Sequence, residues 1–408
     1  MVLLVVTVRP WTPDIGILRG GMDLFVYRDG SWIIQNGFPL YTAPITSGLL
    51  YTYTPFSALV FIPIEKIPPA WSLGVWLAIN VAVLIAVVAL CWRLLGYRLT
   101  PYLLVVSAAI AAGCMFLEPV RTTLFYGQIN LVLMLLVVWD FSRAPRAKLR
   151  GVGVGIAAGI KLTPAYFVAV FAVVGQWRSA VVATVTFAAT IAGAWLILPS
   201  DSRQYWTETF FNSERIAPDG HPSNQSVRGV IAHLTGAAAP VWLWLAVAIP
   251  VFVVSMVIVA AAYRSGDRLL ALSIAGLTSP MVSPFSWSHH WVWFVPFLVY
   301  LVDRAFRNPR WWLAIGVVFT AAAAWPYRWS EESVVIGLFL FPPDWAIAQV
   351  LMNLFPLVYV VILVWAGIGL WRSRSSGGPE KTLPGEAADI PDATTTAVTH
   401  VNPVTKPV

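Results

Sequence analysis

Two adjacent histidines close a polar turn, Ser286-Trp287-Ser288-His289-His290, where a long apolar segment breaks at Pro280 and Pro284. Ionisable groups at the end of a membrane-spanning helix are costly to hold there, so the turn is a candidate site. Neighbouring imidazoles on a helix point about 100° apart, so both rarely serve one metal. No HExxH or comparable metal spacing accompanies them. One ring suits phosphate binding or the orientation of a carboxylate, and the other suits packing.

Four further clusters carry chemistry. Asp23 follows a glycine pair in Gly20-Gly21-Met22-Asp23-Leu24. Its carboxylate is either a general base or the N-cap of a short interfacial helix. The stretch from Glu118 to Asn130 adds Arg121, Tyr126 and Gln128 within about three helical turns. The planar fork of Arg121 suits phosphate, and the amides suit sugar hydroxyls. The alternative is an internal Glu118–Arg121 pair with amides bridging helices. Lys161 either holds a phosphate as a point charge or snorkels to the interface. The loop Ser223-Asn224-Gln225-Ser226-Val227-Arg228 offers Asn224, Gln225 and Arg228 as acceptor contacts. Its Asn-Gln-Ser sequence is also formally a glycosylation sequon. Tyr53 and Trp287 are aromatic walls of the kind that line sugars, or members of an interfacial belt.

These groups must be positioned by membrane helices. The chain is 58% hydrophobic and 11% charged, against about 25% charged in soluble domains. That composition predicts an all-α polytopic membrane protein. Apolar runs lie near 70–92, 100–117, 122–140, 179–199, 240–263, 268–282, 287–302, 311–325 and 346–370. The run 150–175 is interrupted by Lys161, Thr163 and Pro164 and is expected to be a re-entrant pair of short helices. Basic loops (Arg93 and Arg98, Arg143 to Arg150, Arg178, Arg264 and Arg268, Arg304 to Arg310, Arg372 and Arg374) mark the cytoplasmic side. All the polar clusters then share the outer face. The net charge of +7 is spread over these loops rather than gathered on one face, which argues against nucleic acid. Cys91 and Cys114 lie in apolar segments without metal spacing.

Residues 1–372 are expected to form the membrane domain and 373–408 a disordered cytoplasmic tail. Met1 to Val8 is too short to span a core of about 30 Å and is expected to be the end of a helix begun upstream. No internal repeat is evident, which weakens an inverted-repeat transporter reading.

An outer-leaflet chamber with a carboxylate, cations, imidazoles and amides suits glycosyl transfer from a lipid-phosphate sugar. A base takes the acceptor proton and cations stabilise the departing phosphate. At this point the motifs Glu118-Pro119-x-Arg121-x-Thr123-x-x-Tyr126-Gly127-Gln128-x-Asn130, Lys161-Leu162-Thr163-Pro164, Asn224-Gln225-Ser226-x-Arg228-Gly229 and Ser283-Pro284-x-Ser286-Trp287-x-His289-His290 are informative together. In this order they resemble the actinobacterial GT-C α-1,2-mannosyltransferases that use polyprenyl-phosphate-mannose, of the PimE-like and lipomannan-branching type.

The resemblance implies a GT-C fold of about ten to twelve transmembrane or re-entrant helices. It implies inverting, metal-independent mannosyl transfer to a phosphatidylinositol mannoside or lipomannan at the extracytoplasmic face of the plasma membrane. It matches Asp23 to the catalytic aspartate and His289 and His290 to the histidine pair. Arg121 and Lys161 then hold the donor phosphate. Glu118, Tyr126, Gln128, Asn130, Asn224, Gln225, Arg228, Tyr53 and Trp287 are sugar or acceptor contacts. Alternatives are arabinofuranosyl transfer from a polyprenyl-phosphate donor, a lipid or sugar transporter, and a scaffold subunit.

Overall fold

The computed structural model describes residues 20–212, 216–328, 334–337 and 346–375. The Met1–Val8 stretch and the tail beyond 375 lie outside the described residues. In lipid, backbone N–H and C=O groups must be satisfied within each segment, so the apolar runs become helices. The described chain begins with α1 (Met22–Gln35), α2 (Pro55–Val60) and α3 (Ile62–Glu65). Next come α4 (Pro69–Leu94), α5 (Pro101–Cys114), α6 (Glu118–Tyr126) and α7 (Asn130–Ser142). A 3-10 turn (Thr163–Ala165) separates α8 (Val152–Ile160) from α9 (Tyr166–Val173). After α10 (Trp177–Ile197) and α11 (Pro199–Thr207) a second 3-10 turn (Thr209–Phe211) leads to α12 (Val227–Thr235).

The remaining helices are α13 (Val241–Arg264), α14 (Arg268–Val282), α15 (Phe294–Arg307) and α16 (Trp311–Ala322), then α17 (Ala348–Met352) and α18 (Leu354–Ser375). The last helix runs past the expected domain end at 372. Pro326–Arg328 and Val334–Ile336 pair as a small antiparallel hairpin, β1 and β2, with Tyr327 opposite Val335. Among the described residues α4, α10, α13 and α18 are long and apolar enough to cross a membrane. The protein is a polytopic all-α membrane protein.

The interrupted run 150–175 is a pair of short helices, as its polar break implies. Lys161 leaves α8 in extended backbone (φ −143°, ψ 131°), and Pro164 has no N–H with which to continue a helix. The pair is fixed at its basic-loop end. Asp140 Oδ2 accepts the Val154 N–H at 2.8 Å, and Arg150 donates to the Asp140 carbonyl and to Gln176 Oε1. Gly151 allows α8 to begin there. It takes φ +107°, and a Cβ would strike the Ser179 backbone of α10.

Two expectations are corrected. The run 122–140 is not one straight span: α6 and α7 meet at a bend of 120°. The cause is Gly127, which takes φ +71° at the end of α6 and sits where a Cβ would collide with Leu24. Trp76 Nε1 donates to the Gly127 carbonyl at 2.8 Å and holds the bend. The run 287–302 likewise does not start as a regular helix. Ser288–Trp291 form a 3-10 turn, and α15 begins at Phe294. Cys91 and Cys114 are both free and buried.

Candidate active site

Asp23 stands in the first turn of α1, which is not a membrane span. The cap of that helix is Gly21 (φ +105°), so Asp23 is not the N-cap. Gly21 N–H donates to the Phe125 carbonyl at 2.7 Å and pins the start of α1 to the end of α6. Gln128, just past the Gly127 bend, hydrogen-bonds the Asp23 carboxylate. Its Oε1 accepts from the Tyr27 hydroxyl at 2.9 Å, which leaves its amide N–H groups for Asp23 and for Tyr53 Oη at 3.3 Å. Tyr27 lies one helical turn beyond Asp23, on the same face. Burial raises the Asp23 pKa to about 6, opposed by the Gln128 hydrogen bond and the charge of Lys161.

Lys161 is the centre of the arrangement. Its ammonium donates to Asn130 Oδ1 at 3.1 Å and to His290 Nε2 at 2.8 Å, and lies 5.6 Å from the centroid of the Tyr53 ring. The cation beside Nε2 requires a lone pair there. His290 is therefore the Nδ1–H tautomer, donating to Ser286 Oγ at 3.2 Å. Burial, with the charge of Lys161 beside it, keeps this imidazole well below its ordinary pKa.

The histidine turn is braced from behind. Asn130 Nδ2 donates to the His289 carbonyl at 3.0 Å, and Glu118 Oε1 accepts from Ser288 Oγ at 2.8 Å and from Thr122 at 2.6 Å. No Glu118–Arg121 pair stands among the ion pairs of the described residues. Arg121 is buried on α6, which packs against the turn. His289 is buried between the rings of Trp287 and Tyr126, with centroids 6.1 Å from each.

Tyr53, Lys161, Thr163, Trp287 and His290 share the wall of one cavity of about 580 Å³. That volume suits a sugar phosphate. The Glu118–Asn130 cluster, Lys161 and the histidine turn thus converge, and Asp23 joins them through Gln128. The loop 224–228 does not offer its polar groups to the cavity. Asn224 and Gln225 are wholly buried. Asn224 Oδ1 accepts from the Ser286 N–H at 3.1 Å and from Ser226 Oγ at 2.8 Å. Gln225 donates to the Pro222 and Met352 carbonyls, at 2.9 and 2.8 Å. Arg228 is held by Asp219 at 2.9 Å. Asn224 thus braces the histidine turn through Ser286, while the Gln225 side chain and Arg228 are tied to other parts of the fold.

Asn224→Ala is accordingly expected to strand the Ser286 N–H. The cost is about 1–3 kcal/mol of stability, measured as a lower unfolding temperature in detergent, with the donor KM raised.

Tyr27, Ser286 and Tyr205, which also lines the cavity, had no role assigned from sequence. The signal for Tyr27 is its spacing from Asp23. Tyr205 is preceded by no comparable pattern. Among the described residues no three His, Cys, Asp or Glu side chains gather as a metal site.

The sequence profile of glycosyltransferase family 87 matches residues 51–284, more than half of the chain. The chain belongs to glycosyltransferase family 87. The matched segment of this glycosyltransferase holds Tyr53, Glu118 to Asn130, Lys161 and Asn224 to Arg228; Asp23 precedes it and the histidines follow it. The chain is 32% identical over 327 residues to the polyprenol-phosphate-mannose-dependent α-(1-2)-phosphatidylinositol pentamannoside mannosyltransferase of Mycobacterium tuberculosis, covering 77% of this chain and 74% of that one. It is 33% identical over 339 residues to the corresponding phosphatidylinositol mannoside mannosyltransferase of Mycolicibacterium smegmatis, with 74% and 75% covered. An α-(1->3)-arabinofuranosyltransferase of Mycobacterium tuberculosis is 26% identical over 319 residues, with 75% and 70% covered. No solved structure matches.

Proposed function

We propose that this glycosyltransferase moves a mannosyl group from polyprenyl-phosphate-mannose to a phosphatidylinositol mannoside, forming an α-1,2 linkage with inversion at the extracytoplasmic face of the plasma membrane. Lipomannan is the second acceptor to test. The observation that carries the mechanism is that Lys161 and His290 meet on the wall of one cavity, with Asp23 close enough to Lys161 for that charge to lower its pKa.

Asp23 takes the proton of the acceptor hydroxyl as its oxygen attacks the anomeric carbon. The bond from that carbon to the phosphate oxygen breaks, and polyprenyl phosphate leaves with the bonding pair. Lys161 stabilises the charge that develops on the phosphate, aided by Arg121. His290 orients Lys161 through Nε2 rather than serving as the base, since that lone pair is already engaged. Tyr53 and Trp287 provide faces for the sugars, and Gln128 and Asn130 set the two charged groups. The mechanism requires no metal or cofactor, because the two charges it creates each meet a protein group. Residues 1–375 act as one catalytic membrane domain, with the chain beyond α18 in the cytoplasm. The weaker likeness to an arabinofuranosyltransferase ranks mannose first.

The test is transfer by purified enzyme in detergent or proteoliposomes. Radiolabelled polyprenyl-phosphate-mannose should give a lipid product that an α-1,2-mannosidase cleaves. Equal or faster transfer from the matching arabinose donor would replace mannose in this reading.

A further inference from the structure

His233, buried in the last turn of α12, takes no part in the transfer step. Both of its ring nitrogens meet hydrogen-bond acceptors. Nε2 lies 3.1 Å from the His221 carbonyl oxygen, and Nδ1 lies 2.8 Å from Asn353 Oδ1. The Asn353 amide is oriented by a bond of its own, since Nδ2 donates to the Gln349 carbonyl at 2.8 Å. Turning the amide over would set Oδ1 against that carbonyl. A neutral imidazole has one N–H and can serve only one of the two acceptors. The ring that satisfies both is the imidazolium. Its place suits a cation, because the carbonyl end of a helix favours positive charge.

The ionisable groups nearby come from the loop and from α12 itself. Asp219 is bound to Arg228, and the His221 pKa is lowered by burial and by the charge of His233. The helices α13, α14 and α17 also pack against α12. The last has no ionisable side chain, and the other two carry theirs (Tyr263, Arg264 and Arg268) at their far ends.

The two bonds of His233 join segments that hold the histidine turn. Asn353 stands at the corner between α17 and α18, where Gln225 Nε2 donates to the Met352 carbonyl. The Gln225 N–H donates to the Ser286 carbonyl at 2.8 Å, and Asn224 Oδ1 accepts the Ser286 N–H. The His221 ring packs edge-on against Trp287, with centroids 5.0 Å apart. Ser286 Oγ receives the Nδ1–H of His290, whose Nε2 meets Lys161.

We propose that His233 is a positioning residue of the transfer reaction: its doubly protonated ring ties the 219–225 loop to the α17–α18 corner and so fixes the Ser286–His290 turn against Lys161. The inference rests on the proposed function in one respect, that Lys161 and His290 belong to the donor-phosphate site. Without the tie, the loop and the corner part, Ser286 shifts, and Lys161 loses a fixed partner. The donor phosphate is then held less well, whereas the acceptor does not depend on this cation.

The chain has five histidines, few enough for ring-nitrogen NMR signals to be assigned by substitution. In the full-length protein in nanodiscs at neutral pH, one ring protonated at both nitrogens is expected, and it should vanish in His233→Gln. The His290 signal, an Nδ1–H ring with a bare Nε2, should move in the same variant. Kinetics give the second arm. His233→Ala is expected to raise the donor KM about tenfold with the acceptor KM unchanged. A smaller folded fraction would instead lower the apparent kcat and leave both KM values alone. His233→Gln keeps one of the two bonds and should show a smaller rise of the same kind, so the proposal stays testable if the alanine variant does not fold. Asn353→Asp offers the Nδ1–H a carboxylate and should keep the wild-type donor KM.

A single proton on the His233 ring at neutral pH would overturn the proposal, as would an unmoved donor KM in folded His233 variants. If the wild-type protein transfers nothing from the donor, the proposed function fails, and the tie is still decided by the ring signals of His233 and His290.

Discussion

Asp23→Asn is expected to lower kcat about a thousandfold while leaving both KM values near those of the wild type. The amide has the shape of the carboxylate and can still accept from Gln128, so the first turn of α1 keeps its place. What it loses is basicity. An acceptor hydroxyl cannot release its proton to an amide, and the attack then depends on water. The pH profile gives the second arm. A base works only when ionised, and burial sets the Asp23 pKa at about 6. The rate should therefore fall tenfold per pH unit below about 6 and level off above it until Lys161, whose pKa burial lowers to about 8, loses its charge. The Asn variant should lack the acidic limb altogether. Single-turnover rates at several pH values, on protein whose fold is checked by its unfolding temperature, make both measurements. Retained turnover in a folded Asn variant would remove Asp23 from the role of base.

The local break at Lys161 was legible in sequence because a cation followed by Pro164 interrupts a helix with no help from elsewhere. The bend at Gly127 was not. Its positive φ is selected by the close approach of Leu24 and by the Trp76 indole, both remote in sequence. The run around it remains apolar enough to pass for one span. The site shows the same division. Lys161, Asn130 and His290 stood out because ionisable or amide groups in apolar segments are costly, and they do meet. Asn224 and Gln225 stood out for the same reason, and their side chains bond the Ser286 N–H and the Met352 carbonyl. A buried amide needs partners whether these are sugar hydroxyls or backbone groups. Residue type alone does not say which.

Removal of the Lys161 charge separates its two effects. Lys161→Met keeps the length of the side chain and deletes the ammonium. With no cation to meet the leaving phosphate, kcat/KM is expected to fall about 100- to 1000-fold. The same change removes one of the two influences that lower the Asp23 pKa. The acidic limb of the pH profile should therefore move upward, to higher pH than in the wild type. A structural defect alone lowers the rate without moving that limb, so the shift is the deciding readout. Lys161→Arg is expected to rescue little, because a planar guanidinium cannot replace a compact ammonium placed 3.1 Å from Asn130 and 2.8 Å from His290. The histidine completes the argument. His290→Gln offers an amide oxygen to Lys161 in place of the ring nitrogen and should retain more activity than His290→Ala. If His290 were the base that takes the acceptor proton, both variants would fail equally. An acidic limb would then survive Asp23→Asn. The order of activities across Gln and Ala, read together with the pH limb, therefore assigns the proton to one residue or the other.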